Sequence, residues 1–248
     1  MLEKIYVMKE AKVGEQAYRP GGIYAVDPQT KETLINGGFA VEVNFPSLDA
    51  IELAVERVVK EYEKNYELIK THPKYVDAES LRQYELEQLD AKLEAEVEQL
   101  KKDYELEIET LEKEIAKKAI ENAFKPDEQI AHFMDNATLQ LQYSGDIVTD
   151  LQLLAVKINA MTDEQKETVF FKFGQLKQVA EQKANDYNKE QVRGILNDIF
   201  ENVRKVSKTA QYDLQLKQLM AYRMLNVDAP YRILKLVKEQ VKQQKGGN

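Results

Sequence analysis

Residues 86–119 read LEQLDAKLEAEVEQLKKDYELEIETLEKEIAKKA. The apolar positions Leu89, Leu93, Val97, Leu100, Tyr104, Ile108, Leu111, Ile115 and Ala119 recur at steps of 4, 4 and 3. Eleven residues in three turns is close to the natural pitch of an α-helix. The stripe therefore stays on one side of a nearly straight rod and, where such rods pair, favours an untwisted or slightly right-handed bundle over a left-handed coiled coil. Between Glu85 and Glu114 twelve Asp or Glu stand against four Lys, a net of −8 that equals the formal charge of the whole 248-residue chain. The stretch predicts one long acidic helix. Its stripe from Leu89 to Ile115 is the predicted self-association face of a homo-oligomer, or else one arm of a hairpin within the chain.

Working outward, Asp77 is placed to cap this helix, and Lys125-Pro126 stops it after Phe124, because Pro disfavours helical geometry at the residue before it. The preceding segment carries its own stripe, Leu48, Ile51, Val55, Val58, Tyr62, Tyr66 and Ile69, and ends at His72-Pro73. Ser47 is its expected N-cap, with Asp49 and Glu52 near the positive end of the helix dipole. This second stripe is what makes the hairpin a real alternative.

Residues 1–45 are different. Ile5-Tyr6-Val7-Met8 and Ile23-Tyr24-Ala25-Val26 are β-branched and aromatic runs, and Phe39 to Phe45 alternates with period two. Arg19-Pro20-Gly21-Gly22 is a turn signal, and a short helical pattern from Thr30 to Asn36 stops at Gly37-Gly38. Three strands and one helical turn are expected, with a core small enough to need support from elsewhere.

After Asp127 the composition moves from Glu and Lys toward Gln, Asn, Leu and aromatics. Asp127, Asp146, Thr162 (in a capping box with Gln165), Asn188 and Asp228 each precede an apolar stripe of helical period. Five or six helices packed as a bundle are expected. The predicted fold is mainly α: a small β-rich module at 1–45, long helices forming a hairpin or coiled coil at 46–125, and a C-terminal helical bundle at 126–248.

The chain has no Cys, which excludes a disulfide framework, a thiolate metal site and a cysteine nucleophile. Its two His, His72 and His132, share no ligand spacing. His132 with Asp127, Glu128 and Asp135 falls short of convergent metal ligands, since acids at a helix start are explained by the dipole alone. Ser47, Ser80, Ser144 and Ser207 lie in no Gly-x-Ser-x-Gly frame, and Arg19-Pro20-Gly21-Gly22 lacks the Lys-Ser/Thr of a phosphate loop. No enzyme activity, cofactor or metal is expected. No run of about 18 apolar residues occurs and Met1 to Glu10 does not resemble a signal peptide, so a soluble protein without membrane contact is expected.

Charge changes sign at the end. From Glu201 to Asn248 ten Lys or Arg stand against four Asp or Glu. Arg223, Arg232, Lys235 and Lys238, beside Tyr222 and Tyr231, form a candidate basic surface for an acidic protein or, as a lesser alternative, for nucleic acid. The bland alternative is that Tyr222 and Tyr231 are core and the cations ordinary helix-end residues.

The run Lys4-Ile5-Tyr6-Val7, Tyr18-Arg19-Pro20-Gly21-Gly22-Ile23-Tyr24-Ala25-Val26 and Leu34-Ile35-Asn36-Gly37-Gly38-Phe39-Ala40-Val41-Glu42 resembles a small module of tailed-bacteriophage proteins, met near head and connector components. The resemblance covers under a fifth of the chain. It implies a structural, scaffold-like or accessory virion protein, in the host cytoplasm or the particle, that acts by self-association and by binding a capsid or host protein. The alternatives are a phage- or mobile-element-encoded regulator that binds a host macromolecule, and a nucleic acid binder using the basic C-terminal helices.

Overall fold

The computed structural model describes residues 2–75, 78–121 and 125–246. Among these it holds nine α-helices, a three-stranded antiparallel sheet and a two-stranded hairpin, so the chain is mainly α with a small N-terminal β module. Strands β1 (Glu3–Val7), β2 (Ala11–Val13), β3 (Gln16–Tyr18), β4 (Ile23–Val26) and β5 (Ala40–Glu42) are joined by α1 (Pro28–Asn36) between the last two. β1 is central, with Ile5 opposite Tyr24 of β4 and Glu42 of β5. Ile5, Val7, Tyr18, Val26, Leu34 and Ala40 form the core of this module. The turn before β4 places Gly21 at φ +82°, where glycine carries no Cβ penalty, and its amide donates to the Val7 carbonyl at 2.8 Å. Three strands are predicted here and five are found. The added hairpin β2–β3 has strands of three residues, too short for an alternation to register.

Helix α2 (Pro46–Thr71) starts with Phe45 at the N-cap and Pro46 at the first helical position, without a side-chain cap. Ser47, the expected cap, therefore lies inside the first turn. Proline's fixed φ and missing N–H suit that first position and set the boundary. His72 is extended, and a 3₁₀ turn (Pro73–Tyr75) follows. Helix α3 (Glu79–Glu121) is 43 residues long. The expected cap Asp77 and terminus Phe124 lie outside the described residues.

α2 and α3 run antiparallel. Tyr62 donates to Asp90 at 2.6 Å and Tyr104 to Glu52 at 3.3 Å, so rising numbers on one helix meet falling numbers on the other. Val59, Tyr62, Leu93 and Val97 are buried together, with Val58 and Leu89 packed at their edge. The hairpin is thus the arrangement adopted. The connection between the two helices is short, so closing it within one chain costs little entropy.

Two compact units follow, and they cut the chain differently from the linear division 1–45, 46–125 and 126–248. One comprises 1–113 with 217–248, the other 114–216, and the boundaries fall inside α3 and α8 (Lys208–Arg223). Side-chain contacts draw the last segment into the first unit. Gln218 donates to the Glu42 carbonyl at 3.1 Å and Tyr222 to Asp49 at 3.0 Å, and α9 (Ala229–Gly246) packs Tyr231 and Leu234 against the α2–α3 cluster.

In the other unit the core is built from α4 (Glu128–Gln142), α5 (Ile147–Asn159), α6 (Asp163–Lys183) and α7 (Lys189–Val206). Asp127 caps α4 through the amides of Gln129 and Ile130, Asp146 caps α5 through Thr149, and Thr162 with Gln165 forms the capping box of α6. Asn188 stands at the start of α7 but its side chain does not cap it; its Oδ1 accepts from the Asn185 amide at 2.8 Å. Leu151, Ile158, Val169, Leu176, Val192 and Val203 are fully or almost fully buried. Burying each such side chain contributes on the order of 1.5–3 kcal/mol. Glu167 of α6 is also buried. It accepts from the Ser207 hydroxyl at 2.8 Å and from the amides of Lys208 and Thr209 at 2.7 and 3.3 Å, which are donors at the start of α8 that have no intrahelical partner.

Candidate protein-binding surfaces

Much of the predicted self-association stripe is buried within the chain. Leu93, Val97, Tyr104, Ile108 and Ile115 are buried, while Leu89, Leu100 and Leu111 are half-buried. With Tyr62, Val59, Tyr231 and Leu234 on its Leu89 to Val97 section, that part of the stripe is not open to a second copy while the hairpin holds. Tyr104 is a node of polar contacts rather than an apolar seam. Its hydroxyl lies 3.3 Å from both a Glu52 carboxylate oxygen and the Tyr222 carbonyl, two acceptors for its one proton. Lys4 of β1 meets Asp49 at 2.6 Å and Glu52 at 2.7 Å, and its ammonium lies 4.9 Å from the centre of the Tyr222 ring. These contacts tie β1, α2, α3 and α8 together within one unit.

Burial first, and then the Glu52 and Asp49 charges, hold the Tyr104 and Tyr222 phenols well above their ordinary value near 10. Tyr62 is raised likewise, by burial and then by its bond to Asp90. Above pH 10 the unfolded chain loses phenolic protons that the folded chain keeps, so stability is full below about pH 10 and falls as pH rises beyond it. Urea midpoints measured from pH 8 to 11 will drop above pH 10. In a Tyr104→Phe/Tyr222→Phe variant the midpoint will be lower at pH 8 and its further decline shallower.

The four candidate basic residues all have acidic partners in the same unit. Arg223 pairs with Glu112 at 2.9 Å, Arg232 with Asp228 at 2.9 Å, Lys235 with Glu94 at 3.0 Å and Lys238 with Asp90 at 2.5 Å. Lys238 also lies 4.6 Å from the ring centre of Tyr62 and 5.2 Å from that of Tyr66. Tyr231 and, after it, Glu94 push Lys235 up to about 12. The acidic helix thus supplies the counter-charges of the basic segment, in keeping with the opposite signs of the two stretches. Of the two tyrosines set beside these cations, Tyr222 is core and Tyr231 half-buried.

A surface of another kind opens in the four-helix core. α4 packs on α6, α6 on α7 and α7 on α5, whereas a groove of about 860 Å³ separates much of α4 from α5. Phe133, Leu139, Tyr143, Leu153 and Lys157 are among its lining residues. Leu139 is 53% exposed, Tyr143 79% and Leu153 55%, and Val156, also on α5, 67%. Exposed apolar side chains gathered along one groove are the kind of surface that can receive another chain. None of these residues except Phe133 belongs to the stripes that define the helices, and Phe133 lies at the edge of the core. The sequence signal available was the surplus of apolar positions outside those stripes.

Among the described residues no group of three or more His, Cys, Asp or Glu could hold a metal ion, and no helix is long and apolar enough to cross a membrane. His132 is exposed, Asp127 is engaged as a cap, and Asp135 pairs with Lys172 at 2.9 Å. Comparison with protein-family models, curated proteins and solved structures gives no significant match.

Proposed function

We propose that this chain is a non-enzymatic structural or assembly protein of the kind tailed bacteriophages encode, working in the host cytoplasm or the particle by contact with other protein chains. The single observation that carries the reading is the open side of the four-helix core, where the exposed side chains of Leu139, Tyr143 and Leu153 line one groove. An α-helical core with a groove on one side, lined by Leu139, Tyr143 and Leu153 among polar residues, is suited to receive a further helix, which would bury these side chains as α6 and α7 bury theirs. The resemblance of the N-terminal segment to a phage module supports the setting, and the internal pairing of Arg223, Arg232, Lys235 and Lys238 weighs against nucleic acid as the main partner.

The photo-crosslinking residue benzoylphenylalanine placed at Tyr143 tests this in the cells that make the protein. The expected result is a covalent adduct with one protein species, this chain included, identified by mass spectrometry. The control is the same residue at Tyr187, which is fully exposed in the same unit but does not line the groove. Equal adducts from both positions, or none from Tyr143, would remove the reading.

A further inference from the structure

Asp150, Leu153 and Lys157 step by 3 and 4 along α5 and so share one face of it, and all three line the groove. The two charges are of opposite sign and sit about one turn either side of Leu153. The Ser144 hydroxyl donates to Asp150 Oδ2 at 2.6 Å, which fixes the carboxylate at the groove's rim and leaves Oδ1 to accept from another donor. Lys157 stands 6.0 Å from the centre of the Phe133 ring and forms no ion pair among the described residues.

We propose that the occupant of the groove is a second copy of this chain, with the two α5 helices packed antiparallel about a two-fold axis at Leu153. The inference rests on the protein-contact reading above and names its partner. Charge complementarity identifies the partner. Antiparallel packing about Leu153 sets each Lys157 beside Asp150 of the other copy, giving two ion pairs from one pair of residues, whereas parallel packing would stack like charges. A partner of uniform sign would satisfy one of the two groups and oppose the other. The apolar residues fit the same symmetry. Leu153 meets its own copy at the axis, while Leu139 and Tyr143 of α4, across the same groove, flank it.

The chain has no Cys, so a single introduced thiol reports the contact without background. Full-length Leu153→Cys under mild oxidation is expected to form a disulfide-linked dimer, reversed by dithiothreitol, much faster than Tyr187→Cys. Adding Lys157→Glu or Asp150→Lys to the Leu153→Cys chain should slow crosslinking by about tenfold, and mixing those two charge variants should restore it as a mixed dimer. Crosslinking of Leu153→Cys no faster than that of Tyr187→Cys would overturn the inference, as would charge variants without effect. If a photo-adduct forms at Tyr143 with a different protein while Leu153→Cys stays monomeric, the two-fold pairing fails and the protein-contact reading stands. If neither forms, both fail.

Discussion

Replacing Glu167 by alanine will destabilise the four-helix unit by about 3 kcal/mol, because three donors lose a buried charged acceptor at once. The Ser207 hydroxyl still accepts from the Ala210 amide at 3.1 Å, so the first turn of α8 is weakened and not abolished. Glu167→Gln keeps an acceptor oxygen of similar reach and should lose about half as much. Glu167→Asp is too short to meet Ser207 and Lys208 together and should resemble alanine. Urea denaturation followed by far-ultraviolet circular dichroism measures all three. A loss below about 0.5 kcal/mol for alanine would mean that water replaces the carboxylate at little cost, contrary to its burial.

Val97→Asp will have a larger effect on the other unit, at least about 4 kcal/mol, because it inserts a carboxylate without a counter-ion where Val59, Tyr62 and Leu93 converge. Leu106→Asp is the matched control. Leu106 lies on the same helix and is exposed, so the change should cost no more than about 0.5 kcal/mol. The pair separates two roles for the eleven-residue stripe. If it served only as a seam between chains, Val97→Asp would disperse an oligomer and leave each chain folded. Within the hairpin it unfolds the chain instead, and circular dichroism distinguishes these outcomes.

Much of the fold was legible from local pattern. The steps of 4, 4 and 3 from Leu89 gave α3, His72-Pro73 gave its separation from α2, and Asp127, Asp146 and Thr162 marked the helix starts they cap. Ser47 is not a cap because a proline at the first helical position sets the boundary in its place, and Asn188 is not because its side chain serves the loop before it instead of the helix after it. The return of residues 217–248 to the first unit has no local signature. It depends on Tyr222 meeting Asp49 and Lys235 meeting Glu94, pairs more than a hundred residues apart. The charge reversal between the acidic helix and the last segment hinted at such pairing without specifying it.

The candidate surface was harder to see for a related reason. A stripe tells which residues face inward, and Leu139, Leu153 and Val156 lie outside the stripes of α4 and α5. In isolation a surface leucine needs no explanation, since much of any protein surface is apolar. Only the opening between α4 and α5 shows that Leu139 and Leu153 line one groove. In the opposite direction, Leu93, Val97, Tyr104, Ile108 and Ile115 of the acidic helix are buried, and the four basic positions pair with acids of their own unit.

Sedimentation velocity over a hundredfold range of concentration, on the unmodified chain and on Leu139→Asp/Leu153→Asp, tests the central claim most directly. The account predicts a concentration-dependent dimer for the unmodified chain. The variant will be a monomer of unchanged circular dichroism, because both substitutions fall on exposed positions, and its melting temperature will no longer vary with protein concentration. An unmodified chain that stays monomeric throughout, or a variant that associates as strongly as its parent, would contradict it.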